Sequence, residues 1–557
     1  MGIAIDRDVP VKMSDGVCLY ADVYRSTAGA TRPAVITRTP YLKETERFTT
    51  RAQYFADHGY VYVIQDVRGR GKAEGNFYPF FNEATDGYDT LTWAAKQKWS
   101  NGVLGTIGAS YGAWTQWLTA PLRHPNLVTM IVEASPPDFF RCLPYQGGAF
   151  SLPLLSWLLE LRKSPPRDMG STDWDHLLRG RPLRDLDKVC GCEIGAWRDW
   201  LAHDRDDCYW AQIAFNRQMN RISLPVFHIS GWYDDVLVGT LINHSKMNNE
   251  TRSPQKLLIG PWPHRINTTS RYGEIDFGPA GIIDLFDIQR EWFDRWLKAL
   301  PARAGREAPV SYYMMGVNQW KDDQQWPPSS VKLQKFYLNS NGNANTRLGD
   351  GKLDTVAPVF DRHDDFDYDP LKPVPFLTQP GWTQLGGPDD YREVESRSDV
   401  LVYSTQPLER ALVIAGPLIV HLYAASSAKD TDFTARVLDV HPNGYAMRLN
   451  DGIVRARFRA SYSSPMALIP DQVYGYHIDC WATSHVFEKG HTVRLEISSS
   501  AFPRFDPNLN TGLPIGTDVM PVTARQRIHH GSQYPSHIAL PVMRSPGEPN
   551  FSPKEQQ

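Results

Sequence analysis

The run Gly108-Ala109-Ser110-Tyr111-Gly112 constrains this chain more than any other stretch. It follows the apolar segment VLGTI and opens the helical pattern YGAWTQWLTAPL. A strand over 103–109 must therefore turn sharply into a helix over 111–122. By chance a G-x-S-x-G spacing arises about 0.2 times in a chain this long, with Gly and Ser near about 7% each. The spacing alone is weak, and the strand–turn–helix context carries it. The flanking glycines permit the turn, which exposes the serine hydroxyl beside the partly positive helix N-terminus. The plain alternative is a structural βα turn.

The surrounding pattern supports a parallel sheet. Residues 9–25 read as a hairpin around Ser14-Asp15-Gly16, and 33–39 (PAVITRT) as a buried strand. A helix over 49–58, a strand over 59–66 (GYVYVIQD), a helix over 86–99 and a strand over 127–134 follow. Strands alternating with helices of this length mean βαβ units. From 144 to 220 the texture becomes Trp-rich and charged, with one strong helix at 152–161 (LPLLSWLLEL), which reads as a helical insertion capping the sheet's active edge. The alternation resumes with strands 224–230 and 256–260 and helix 283–300. Beyond about 325 short alternating runs such as DFTARVLDV, GIVRARFRA and HTVRLEISS are separated by turns, the pattern of a β-sandwich or jelly roll. The expected division is 1–143 and 221–328 for an α/β core, 144–220 for the cap and 329–557 for the β domain.

Bulk properties exclude several classes. The 557 residues carry a net charge of −3 without a like-charge block, so neither nucleic acid nor a membrane surface is an expected partner. The N-terminus lacks a basic stretch leading into an apolar run, and no 18-residue apolar stretch occurs, so the expected location is cytoplasmic. The six cysteines are scattered, unlike a disulfide framework. Cys190, Cys192 and Cys208 hint at a metal site, but the C-x-C step suits tetrahedral zinc poorly. No metal or other cofactor is expected.

A serine hydroxyl is a poor nucleophile until a base takes its proton. In a fold with this elbow the acid and the histidine come later in the chain, in that order. Strand LPVFHIS runs into Gly231-Trp232-Tyr233-Asp234-Asp235, and strand KLLIG into Pro261-Trp262-Pro263-His264. Both lie past the carboxyl ends of consecutive parallel strands, where ligands collect in open α/β sheets. Of the adjacent Asp234 and Asp235, one is the expected acid, the order Ser110, Asp234, His264 matching, and the other a solvated loop residue. The backbone N–H of Tyr111 is one expected oxyanion donor. The second comes from the loop after PAVITRT, at Pro40-Tyr41; on residue type alone Tyr41 is as well explained by packing.

The segments TRTPY, QDVRGRGKAEGNF, EATDGYDTLTW, GTIGASYGAWTQ, SGWYDD, IGPWPH, DTDFTARVLDVHPNGYAMRLNDGIVRARFR and QYPSHIALPV resemble the bacterial cocaine esterase family. That family belongs with the α-amino acid ester hydrolases and X-Pro dipeptidyl-peptidase-like serine hydrolases. The resemblance covers nearly the whole chain. It implies an α/β-hydrolase core, a helical cap and a C-terminal jelly roll bordering one pocket. It also implies Ser110 as nucleophile, His264 as base, Asp234 as acid, and the Tyr41 hydroxyl beside the Tyr111 N–H in the oxyanion hole.

Departures limit the substrate reading. Relatives acting on α-amino esters carry acids at the second and third positions after the triad Asp, where this chain has Val236 and Leu237. The family's G-R-G-x-S-x-G stretch reads Gly69-Arg70-Gly71-Lys72-Ala73-Glu74-Gly75, without the serine, and the segment near Gly386-Gly387-Pro388-Asp389-Asp390 is shortened. The expected activity is hydrolysis of a small carboxylic ester. An amidase or dipeptidyl-peptidase-like hydrolase, an acyltransferase with the same triad, and a non-catalytic binding protein are the alternatives. A homodimer is the one macromolecular assembly left open.

Overall fold

The computed structural model describes residues 2–162, 172–301, 305, 307–378 and 386–543. Its centre is a ten-stranded sheet. In spatial order the strands are Ile3–Lys12, Cys18–Ser26, Val61–Asp66, Arg32–Thr39, Ser100–Ala109, Leu127–Glu133, Val226–Tyr233, Gln255–Pro263, Val310–Met314 and Gln319–Asp323. From Val61–Asp66 to Val310–Met314 every neighbour is parallel. The first two strands and the last are antiparallel edges. Burial on both faces explains the apolar runs: Val61 and Val63 enter one core, while Tyr60, Tyr62 and Ile64 enter the other. Helices Glu46–Asp57 and Leu285–Leu297 cover one face, with Phe55 packing edge-on against Phe293. Helices Glu83–Ala95 and Tyr111–Thr119 cover the other.

Two helices are shorter than their apolar patterns. The helix opened by Tyr111 ends at Thr119 and tightens into a 3₁₀ turn at Ala120–Leu122, where Pro121 supplies no N–H for another α-helical bond. The insertion's strong helix begins at Leu154, with Pro153 fixed just before it. Short helices Trp174–Leu178, Gly195–Ala202 and Cys208–Ala211 follow, buried through Trp197, Trp200 and Trp210.

The remaining strands, from Val331–Asn339 to His537–Met543, form an eleven-stranded, all-β unit around its own apolar core. It is joined to the first lobe by backbone pairing: Met315 N–H donates to the Ser484 carbonyl at 3.1 Å and Val486 N–H to that of Met315 at 2.9 Å. No described helix is long and apolar enough to cross a membrane.

Candidate active site

The carboxyl ends of the central parallel strands carry the candidate residues. Ser110 sits at φ 56°, ψ −116°, a strained conformation for a residue with a side chain, and is only partly buried. Gly108, two residues before it, is forced by close approach. A Cβ on Gly108 would lie 2.7 Å from the Gly112 carbonyl oxygen. The turn is pinned by Ser110 N–H donating to the Glu133 carbonyl at 3.0 Å on the neighbouring strand. Tyr111 is the first helical residue, so its N–H has no intrahelical acceptor. Its side chain points away into the core, donating to Glu83 Oε1 at 2.6 Å and accepting from Phe80 N–H at 3.1 Å.

Asp234 and His264 meet because their strands run side by side. A Cβ on Gly231 would collide with the Trp262 carbonyl at 2.0 Å, so glycine there lets the two loops close on each other. The register then slips between Gly260 and Pro263, a bulge of the kind that re-aims a side chain. Beyond it, His264 Nδ1 lies 2.8 Å from Asp234 Oδ1. A carboxylate only accepts, so the imidazole proton sits on Nδ1, leaving Nε2 as a lone pair. Asp234 is buried and held by Ser230 Oγ on Oδ2 at 2.5 Å and by Val236 N–H on Oδ1 at 3.2 Å. Burial disfavours the charged imidazole, but the hydrogen bond and charge of Asp234, with Asp235 beyond, raise the His264 pKa above its ordinary value.

Asp235 departs from its expected place as a solvated loop acid. It is half-buried, and burial with the repulsion of Asp234 pushes its pKa up to about 7 against the pull of His264.

Tyr41 is brought to Ser110 by its hydroxyl. Ser110 is near enough to lower the pKa of that phenol, and the Trp157 indole N–H donates to its hydroxyl at 3.1 Å. Indole is a donor only, so it takes a lone pair of Tyr41 and leaves the phenolic proton free to be donated. Burial keeps that phenol protonated by raising its pKa, although Trp157, Arg47 and Ser110 act the other way. The backbone N–H of Tyr41 is already committed to Thr39 Oγ1 at 3.0 Å.

Two positioning residues escaped the sequence reading. Arg70 Nε donates to the Pro40 carbonyl at 2.7 Å, and its guanidinium also bonds the Leu161 carbonyl at the end of the cap helix. It thus ties the loop of Tyr41 to the helix of Trp157. The glycines around it are again steric needs, since a Cβ on Gly71 would sit 2.3 Å from Asp66 Oδ2. Trp157 itself looked like an ordinary core residue of a helix, and only the lone Nε1 donor set it apart. The cap side of the site is aromatic: Phe80 stacks on Tyr111 at 4.8 Å and lies 6.2 Å from Trp157, which lies 6.4 Å from Trp200.

Residues 15–265 match the X-Pro dipeptidyl-peptidase (S15 family), and residues 302–539 match the X-Pro dipeptidyl-peptidase C-terminal non-catalytic domain. The cocaine esterase of Rhodococcus sp. (strain MB1 Bresler) is 33% identical, the alignment covering 97% of this chain and 99% of that one. The chain belongs to this serine-hydrolase family. An aminopeptidase from a marine sediment Thaumarchaeota archaeon has a similar solved structure, with a TM-score of 0.88, 27% identity and 97% of each chain covered. An α-amino acid ester hydrolase gives a TM-score of 0.84 at 28% identity, over 97% of this chain and 96% of that one. Family membership makes the protein an α/β-hydrolase with a C-terminal all-β domain, and a serine hydrolase acting on esters or peptides. Within this family's frame, Val236 and Leu237 are fully buried in an apolar cluster that also holds Trp232 and Tyr233.

Proposed function

We propose that the protein hydrolyses small carboxylic esters through an acyl-enzyme on Ser110. The observation that carries this reading is the His264–Asp234 contact of 2.8 Å at the sheet edge that also bears the strained Ser110 elbow. His264 Nε2 takes the Ser110 proton as Oγ attacks the ester carbonyl. Asp234 holds the tautomer and stabilises the imidazolium. The Tyr41 O–H and Tyr111 N–H receive the oxyanion, which is where preorganised donors lower a barrier most. His264 then protonates the leaving alcohol, and water activated by the same base releases the acid.

The cocaine esterase likeness supports esters over amides, and the apolar burial of Val236 and Leu237, where an ammonium group would need carboxylates, supports substrates without an α-amine. The aminopeptidase likeness favours a second reading, an amide or aminoacyl substrate, and Asp235 beside His264 is the acid that would serve it. A panel of aryl, benzoyl, aliphatic and aminoacyl esters with their matching amides tests both. Esters lacking an amine should be turned over faster than the matching amides, and Ser110→Ala should lower that turnover about a million-fold. A folded Ser110→Ala protein with near-normal turnover removes the proposal.

A further inference from the structure

A second histidine–carboxylate constellation lies in the all-β domain. Strand Asp432–Val440 brings Asp439 to its end, where the carboxylate is almost fully buried. His485 Nε2 is 2.9 Å from Oδ2, His491 Nδ1 is 2.8 Å from Oδ1, and His441 Nε2 is 3.8 Å from Oδ2. Donor-capable atoms of Asp439, His441 and His491 all lie within 4.8 Å of one another. Among the described residues this is the one such group of three.

The three imidazoles are not equivalent. His485 Nδ1 is buried with no partner. Its proton therefore sits on Nε2 and is donated to Asp439, orienting the carboxylate as an outer-sphere partner does at metal sites. His441 stands too far from Oδ2 for a hydrogen bond. Two donors sharing one small cation, each about 2.0–2.1 Å from it, stand at that kind of separation. Its ring centroid is 4.6 Å from that of His491, so the two rings flank one side of the carboxylate. Exposure rises from 2% at the Asp439 side chain to 13% at His491 and 27% at His441, which opens the group to solvent on one side.

The group is also preorganised. His441 begins a turn in which its N–H donates to the Tyr445 carbonyl at 2.9 Å and its own carbonyl accepts from Gly444 at 2.8 Å. His491 closes a turn on the Glu488 carbonyl at 3.1 Å and accepts from Leu408 N–H at 2.8 Å. These turns are far apart in sequence, and the Pro442 ring lies against Gly490, 3.7 Å from where a Cβ there would stand.

We propose that Asp439, His441 and His491 form a divalent-metal site, with His485 fixing the carboxylate. Two imidazoles and a carboxylate without thiolate suit zinc and its borderline neighbours better than calcium or copper(I). The metal takes the His491 Nδ1 lone pair once the ring's single proton has moved, by way of solvent, to Nε2. The ion clips the 441–445 turn to the 488–491 turn. It thereby braces strand Tyr474–Phe487, whose residues Ser484 and Val486 pair with Met315 of the hydrolase lobe.

The test uses the full-length chain stripped with EDTA and titrated with zinc chloride by calorimetry, beside a His441→Ala/His491→Ala variant. Wild type should bind one more zinc per chain than the variant, and only wild type should gain thermal stability from the ion. Cobalt(II) should give wild type a visible absorption band that the variant lacks. Equal zinc stoichiometry in the two proteins overturns the site, as does no binding by wild type. Should the double variant misfold, His441→Gln at the more exposed ring replaces it. A folded His441→Gln protein that keeps wild-type affinity for zinc is equally fatal.

Discussion

Asp234 and Asp439 are both buried carboxylates that meet histidine at about 2.8 Å, and they sit in chemically different surroundings. Asp234 meets one imidazole; its other oxygen is capped by Ser230 Oγ, and the free nitrogen of His264 is left for whatever occupies the sheet edge. Asp439 has an imidazole on each oxygen and a third nearby. What distinguishes them is the third group: a strained serine at the end of a parallel strand in one case, another imidazole in the other. A histidine–aspartate contact is thus no signature of catalysis by itself. The nucleophile elbow supplies the meaning at the first site, and convergence of nitrogen donors supplies it at the second.

That contrast can be broken by substitution. After Ser110→Ala, the largest effect is expected at Asp234→Asn, which should lower kcat about 10⁴-fold because an amide cannot hold the same tautomer. Asp235→Asn should cost far less. The reverse ranking, read from steady-state kinetics, would shift the acid by one residue. Next comes Tyr41→Phe, for which kcat should fall about 100- to 1,000-fold with KM little changed, the loss typical of one oxyanion donor. A kcat within about threefold of wild type would reduce Tyr41 to packing. The backbone N–H of Tyr41 could not then substitute, being held by Thr39.

A smaller effect sharpens the electrostatics. His264 must be neutral to act as a base, and the negative charges of Asp234 and Asp235 raise its pKa. Activity should therefore fall as pH drops through that raised value. Removing the Asp235 charge should move the acid limb of kcat/KM to lower pH, by up to about one unit. A shift to higher pH would show that Asp235 does not act on His264 through its charge. The smallest effect is expected at His441→Ala, which should leave ester turnover within about twofold; a large loss there would mean that the two constellations are coupled.

These regions also differ in how far the chain announces them. The elbow is local: Gly108, Ser110 and Gly112 lie within five residues, and Gly108 is required by its contact with Gly112 inside that turn. The places of Asp234 and His264 follow from strand order, since residues after adjacent parallel strands share one edge. What brings Tyr41 to Ser110 is not local. It depends on the Trp157 indole from the cap and on Arg70 joining two loops, neither of which has a periodic pattern. Asp235 was misplaced because its neighbours in sequence do not reveal the burial that raises its pKa. The Asp439 group was invisible for the same reason. His441 and His491 stand in separate turns, and only the pairing of Asp432–Val440 with Thr492–Ser498 draws them together. Cys190, Cys192 and Cys208, whose spacing only hinted at a metal site, form no such group among the described residues.

The central claim is that Ser110 carries the acyl group, and the most direct measurement is covalent trapping. The intact protein should take one fluorophosphonate label, located by mass spectrometry on Ser110. Labelling and ester hydrolysis should be lost in parallel. An enzyme that hydrolyses esters while remaining unlabelled, or labelled at another residue, would contradict the account.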